Sequence, residues 1–323
     1  MKFASTLAVV TGLITSVAAH GPLLGRDEVL RRADMSKRCE GAVAHFNKKR
    51  MAKRTEERQE DVSTPYYSSI QNQTCILTPE VIMGPYVWPE SQFVRSNMTE
   101  DQPGVPLSLD VGVMDMATCE PLPDAMVSLW QANATGSYSS FTKLNPNLSF
   151  GQLLRSLNLT HVEYGVTDLH TDDTTWLRGM SPTNKEGMMQ MDTIFPGFYA
   201  GRTIHIHSQV YTNYTLLPNG TISSGNLVNT GQMYFDEELI EQMMALQPYA
   251  SHTQIERVTN AKDTHYAEGF ENGWNPVISV IPMNEEDRTK GMIGYITLGI
   301  DTTDLNRPPN FIEPASPLPS SIA

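Results

Sequence analysis

The segment Thr203-Ile204-His205-Ile206-His207-Ser208-Gln209-Val210 constrains the fold more than any other part of the chain. β-Branched and polar residues alternate along it, which predicts a strand over 203–211. In a strand, successive side chains point to opposite faces. Ile204 and Ile206 therefore share one face, and His205 and His207 share the other. Just upstream, Gly197-Phe198-Tyr199-Ala200-Gly201-Arg202 adds a phenol and a guanidinium. Two same-side imidazoles suit one metal ion. A nearby phenol adds a hard oxygen donor, and phenolate oxygen favours ferric iron over softer metals.

The rest of the chain reads mainly as strands. Apolar or alternating runs at 107–113, 125–131, 187–194, 277–281 and 293–300 are separated by Gly- and Pro-rich turns such as Cys119–Asp124. A helix is predicted over Asp236–Leu246, where Asp236, Glu237 and Glu238 complement the dipole at its start. Residues 133–175 form a long polar excursion, a length typical of functional or mobile loops. Short strands with few helices predict a mainly β protein, an antiparallel β-sandwich with long loops, one or two short helices and an N-terminal helical arm. The expected organisation is a signal peptide over 1–19, a basic helical arm or propeptide over 20–62, a β-sandwich domain over 63–305 and a Pro/Ser-rich disordered tail over 306–323.

Charge and cysteine content narrow the function classes. Lys2, an apolar stretch to Val17 and the small residues Ala18-Ala19 form a secretory signal pattern, too short to span a bilayer. Seven sequons, at Asn72, Asn97, Asn133, Asn147, Asn158, Asn213 and Asn219, fit an exported glycoprotein. Residues 20–58 carry eleven Lys and Arg against six acids, whereas residues 59–323 carry eleven against thirty. The arm reads as a solvated helix or a propeptide, and the acidic body argues against nucleic acid as a partner. No run is long and apolar enough for a membrane span. Of Cys39, Cys75 and Cys119, the preferred disulfide is Cys75–Cys119, because Cys39 lies in the arm. Met189 and Met191 are expected only to fill core gaps.

A second informative stretch, Leu129-Trp130-Gln131-Ala132-Asn133-Ala134-Thr135-Gly136-Ser137-Tyr138, ends a strand in a Gly-containing turn and delivers Tyr138 just beyond it. Together with Phe195–His207 and Gly231-Gln232-Met233-Tyr234-Phe235, it resembles the intradiol ring-cleavage dioxygenases, most closely their secreted fungal branch. The resemblance runs from about Cys75 to about Ile300. It implies an Fe(3+) cofactor held by Tyr138, Tyr199, His205 and His207, with Tyr199 leaving the metal when substrate binds. It further implies catalytic roles for Arg202 and Gln232, and a place for Gly84-Pro85-Tyr86 at the mouth of the site. The implied partners are a catechol-type aromatic and O2, with ring opening between the two hydroxylated carbons to a muconate-type product. Bacterial members of that family often dimerise through N-terminal helices, so a homodimer through residues 20–62 is a further expectation unless that arm is a propeptide. Asn133, five residues before Tyr138, is expected to belong to the active-site turn and to stay unglycosylated. Two other readings remain open from the residues. One is an iron- or phenol-binding β-sandwich without turnover. The other is a copper polysaccharide oxygenase using His20 as its N-terminal residue.

Overall fold

The structure is a computed structural model and describes residues 26–58, 83–162, 167–223, 225–270, 274–284 and 286–303. The signal pattern, His20, Asn72, Cys75 and the C-terminal tail lie outside the described residues.

Helix α1 spans Arg26–Arg58. It is followed by β1 (Pro106–Asp115), β2 (Glu120–Pro121), β3 (Met126–Trp130), α2 (Phe150–Ser156), β4 (Arg178–Pro182), β5 (Met188–Ile194) and β6 (His205–Thr212). Then come β7 (Thr215–Leu216), β8 (Ile222–Ser223), β9 (Asn226–Tyr234), α3 (Glu237–Met244), α4 (Thr264–Glu268), β10 (Ser279–Pro282) and β11 (Met292–Ile300). One sheet runs β10-β11-β1-β2, with β5 also paired to β1, a second runs β4-β3-β6-β9, and β7 and β8 form a separate two-stranded pair. Every pairing is antiparallel except β1 with β11, which is parallel.

The core lies between the two sheets. Leu107, Leu109, Val111 and Val113 alternate along β1 and meet Val127 and Leu129 of β3 and Ile206 and Val210 of β6. Met189 and Met191 of β5 are core residues, as expected. Burial of side chains of this size contributes roughly 1.5–3 kcal/mol each. The expected helix at 236–246 forms as α3, and Asp236 caps it by accepting from the Glu238 backbone N–H at 2.9 Å.

The basic arm departs from a solvated helix. Arg32, Met35, Cys39, Val43, Phe46, Asn47 and Arg50 are buried, a stripe at helical spacing that faces the outer side of the first sheet. Arg50 pairs with Asp110 at 2.9 Å and donates to Thr297 Oγ1 at 2.8 Å, and Arg31 pairs with Asp301 at 2.5 Å. The positive arm and the acidic body are thus complementary surfaces. The same docking corrects the disulfide: Cys39 pairs with Cys119, not Cys75 with Cys119. Packing of α1 carries Cys39, fully buried, to the turn after β1, where Arg38 also donates to the Met116 carbonyl at 2.6 Å.

Candidate metal centre

The outer face of the second sheet carries the polar residues that the first sequence motif singled out. Arg178, Trp130, His207 and Gln232 are successive cross-strand partners on β4, β3, β6 and β9, so they share a face. His205 faces Tyr234 one step along the same side. The Trp130 ring stacks on His207, with centroids 4.8 Å apart and planes 4° from parallel, which fixes the imidazole orientation.

Two loops bring the phenols. β3 ends at Trp130, and the Asn133–Ser137 turn delivers Tyr138; the Gly197–Arg202 loop delivers Tyr199 ahead of β6. A Cβ on Gly136, which has φ +88°, would lie 2.2 Å from the Phe198 carbonyl oxygen, and one on Gly197 would lie 2.4 Å from the Asn133 carbonyl oxygen. The two loops therefore touch backbone to backbone, and this contact requires glycine on both sides. It sets the Tyr138 and Tyr199 rings 5.6 Å apart at 73°. Tyr86 stacks on Tyr138 at 4.6 Å and meets the Tyr199 edge at 6.0 Å, so the Gly84-Pro85-Tyr86 turn joins the site.

The donor atoms converge. His205 Nδ1 lies 2.7 Å from the Thr203 carbonyl, which can only accept, so Nδ1 holds the proton and Nε2 holds a lone pair. That Nε2 is 3.0 Å from His207 Nε2 and 3.3 Å from Tyr199 Oη. Two imidazole nitrogens this close could both serve one ion. Tyr138 Oη, His207 Nδ1 and Gln232 Nε2 are buried without a hydrogen-bond partner. An orphaned buried hydroxyl beside two converging imidazole nitrogens fits a metal donor. Among the described residues, no group of three or more His, Cys, Asp and Glu could hold a metal ion, and the groups beside these two histidines are phenols.

Electrostatics agree with that reading. Burial, then the neighbouring Tyr199, pushes the Tyr138 phenol well above its ordinary value, and burial likewise raises Tyr199. Burial depresses both imidazoles, with the Arg202 charge adding to the effect at each. Burial thus favours the neutral form at all four groups. Only a strongly charged cation among them would turn both phenols into phenolates, the hard anionic donors that suit ferric iron. The residues present fit that ion.

Arg202 lies beside this set in a network of its own. Its Nε donates to Asp263 Oδ2 at 2.9 Å, and its Nη2 donates to Gln232 Oε1 at 2.5 Å and to Tyr234 Oη at 3.4 Å. Tyr234 Oη donates to the same Gln232 oxygen at 2.9 Å. Burial opposes the Arg202 charge, but Tyr199, Tyr234 and Asp263 outweigh it and raise its pKa.

A family model described as dioxygenase matches residues 82–264, more than half of the chain. The chain belongs to the intradiol ring-cleavage dioxygenase family. It is similar to a solved intradiol ring-cleavage dioxygenase from Tetranychus urticae at 29% identity and a TM-score of 0.55, over 70% of this chain and 95% of that one. A second dioxygenase crystal structure is 29% identical with a TM-score of 0.56, over 73% of this chain and 98% of the other. No curated protein matches the chain by sequence. The mainly β sandwich expected from the strand pattern is the fold of these dioxygenases.

The six residues singled out in this family member, Tyr138, Tyr199, His205, His207, Arg202 and Gln232, thus form one cluster. Two neighbours were missed. Asp263 sits 61 residues beyond Arg202, and its local context reads only as a helix cap: Oδ1 accepts from the Tyr266 backbone N–H at 3.1 Å. Tyr234 follows Gln232 at the i, i+2 spacing, the same signal that linked His205 to His207. The Asn133 amide is held within the turn. Its Oδ1 accepts from Thr135 N at 3.1 Å and Ser137 N at 3.0 Å, and its Nδ2 donates to Gln102 at 3.1 Å.

Proposed function

We propose that this protein is a secreted non-haem Fe(III) dioxygenase that opens catechol-type rings between the two hydroxylated carbons with O2, giving muconate-type products. The observation that carries the reading is the convergence of two phenols and two imidazoles at one buried point, with the His205 and His207 Nε2 atoms 3.0 Å apart and Tyr199 Oη 3.3 Å from the first. Tyr138, Tyr199, His205 and His207 would hold the iron. Ferric iron, when bound, would supply Lewis acidity towards both catechol oxygens and a template for O2.

The remaining residues have roles that follow from their surroundings. Tyr138 is 3% exposed, whereas Tyr199 is only partly buried. Tyr199 Oη is thus the phenol oxygen free to move and to take a catechol proton. Arg202, held by Asp263 and Gln232, keeps a fixed positive charge beside Tyr199, where it stabilises negative charge developing on the substrate. Gln232 Nε2 has no protein partner and is a donor for a substrate oxygen. Tyr86 and Phe141, packed edge to face at 5.4 Å, wall the site with apolar surface.

Export is supported by the N-terminal signal pattern, the sequons and the Cys39–Cys119 disulfide, which suits an oxidising compartment. No helix among the described residues is long and apolar enough to cross a membrane. The test is the visible spectrum of iron-loaded protein before and after anaerobic catechol addition, followed by oxygen uptake. A tyrosinate-to-iron charge-transfer band that shifts with catechol, then one O2 consumed per catechol, is the expected result. A colourless protein at full iron occupancy would remove tyrosinate ligation and the proposal with it.

A further inference from the structure

Arg178 of β4 is fully buried at 0% exposure. Its Nε donates to the Ser139 carbonyl at 3.2 Å and to Ser139 Oγ at 2.9 Å, and its Nη2 donates to the same carbonyl at 2.8 Å. Its Nη1 is buried with no hydrogen-bond partner. Among the described residues Arg178 forms no ion pair, unlike Arg50 and Arg202, which each face a buried carboxylate. The Asp172 carboxylate acts on it through space without pairing with it, and a buried guanidinium so weakly compensated is stabilised further when another neighbour becomes negative.

The position of Arg178 identifies that neighbour. Ser139, which takes three of its hydrogen bonds, directly follows Tyr138. The guanidinium carbon lies 5.4 Å from the Phe141 ring centroid; Phe141 packs on the edge of Tyr86, and Tyr86 stacks on Tyr138. Arg178 also begins the cross-strand row that continues through Trp130 to His207. On one side is a cation without a paired carboxylate, and on the other a buried phenol hydroxyl without a hydrogen bond. Burial dominates and leaves the guanidinium pKa lowered to about 9, against the opposing influence of negative charge at Tyr138 and, next, at Asp172.

We propose that Arg178 is a positioning residue of the metal centre: it clamps the Tyr138–Ser139 peptide in place and sets a fixed positive charge behind the phenol that binds iron. The inference rests on the ferric-tyrosinate reading above. Arg178 becomes balanced when Tyr138 is a metal-bound phenolate, so the cation favours the loaded state. A role limited to bracing the loop predicts that any loss of Arg178 weakens iron binding whether or not residue 138 carries a phenol.

The test compares wild type with Arg178→Met, Arg178→Lys and Tyr138→Phe, alone and combined. Ferric iron affinity is read by chelator competition, and the tyrosinate charge-transfer band is recorded for each protein. Arg178→Met is expected to lose about 10–100-fold in iron affinity and to move the band maximum, as loss of a group supporting a metal ligand does. In the Tyr138→Phe background the same change is expected to alter affinity by less than about threefold, because its partner is gone. Arg178→Lys keeps the charge and gives up the fork. It covers the case in which Arg178→Met does not fold: affinity within about threefold of wild type supports the charge role, and the full loss overturns it. Wild-type affinity and band in Arg178→Met, or an equal loss in the Tyr138→Phe background, also overturns it. If wild type shows no tyrosinate band with iron bound, the ferric reading and this inference fall together. If the band is present and the Arg178 variants match it, only this inference falls.

Discussion

Asp263→Asn probes the part of the site that lies behind the metal donors. The Asp263 side chain is 1% exposed; Oδ2 accepts from Arg202 Nε at 2.9 Å and Thr203 N at 2.7 Å, and Oδ1 accepts from Tyr266 N at 3.1 Å. Asparagine preserves the shape but removes the charge, and its amide nitrogen must face a donor on one side or the other. Breaking a buried pair by removing one charge costs about 3–5 kcal/mol. The Arg202 side chain is 17% exposed and keeps some hydration, so a loss of about 2–3 kcal/mol is expected, measured by urea unfolding of metal-free protein at neutral pH. The pH dependence fixes the sign. Burial alone would raise the Asp263 carboxyl, but the Arg202 charge and the Thr203 N–H bring it below its ordinary value. A carboxyl depressed in the folded state stabilises it above the unfolded pKa, and that contribution disappears as pH falls through the folded value. The gap between wild type and variant should therefore be flat from pH 7 to about 5 and narrow below about pH 4. Turnover should fall about 10–100-fold as Arg202 loosens, while the iron band, set by other residues, remains. A variant within about 0.5 kcal/mol of wild type, or a gap that widens as pH falls, would refute the reasoning.

Three further outcomes follow from the fold and the loops. Cys39→Ala should lose about 4 kcal/mol, because the Cys39–Cys119 bridge closes a separation of 80 residues; a Cys75–Cys119 peptide in non-reducing mass mapping of wild type would contradict the docked helix. Gly197→Ala should force the Tyr138 and Tyr199 loops apart, destabilise the protein by about 1–3 kcal/mol and weaken the charge-transfer band per bound iron; an unchanged band and melting temperature would mean that the loop contact does not set the phenols. In protein secreted from a glycosylating host, glycopeptide mapping should find Asn133 bare while exposed Asn158, Asn213 and Asn219 accept glycans; high occupancy at Asn133 in folded protein is the opposing result.

The sandwich was legible where strands alternate or run apolar, as β1, β3, β5, β6 and β11 do. Two strands of the functional sheet were not. β4, Arg-Gly-Met-Ser-Pro, carries Gly and Pro and no alternating or apolar run, yet it forms the edge of its sheet, where Pro is tolerated. β9, Asn-Leu-Val-Asn-Thr-Gly-Gln-Met-Tyr, is too polar in its second half to signal a strand, because that half contributes Gln232 and Tyr234 to the site face. The arm read as helix, but its docking did not. Its inner stripe includes Arg32, Asn47 and Arg50, so a purely apolar pattern could not locate the buried side, and the Cys39 pairing was missed with it.

Burial of charge distinguishes the two outer faces of the sandwich by function. On the first sheet, Arg50 meets Asp110 at 2.9 Å and both are almost fully buried, so the helix that covers this face brings a charge that its surface already balances. Such a pair needs no ligand, and its effect is to fix the register of helix on sheet. On the second sheet, Arg202 is balanced by Asp263, but among the described residues Arg178 forms no ion pair and feels Asp172 only through space, Tyr138 Oη has no hydrogen bond and the Nε2 atoms of two imidazoles lie 3.0 Å apart. Polar groups left in that state are tolerated when a ligand completes them. Strand β6 is buried on both faces, with Ile206 and Val210 towards the core and His205 and His207 under the loops. Alternation in its sequence divides the two faces without saying that both are covered. What marks the histidine face as a site is the imbalance around it, a property of four strands and three loops together that no single segment carries.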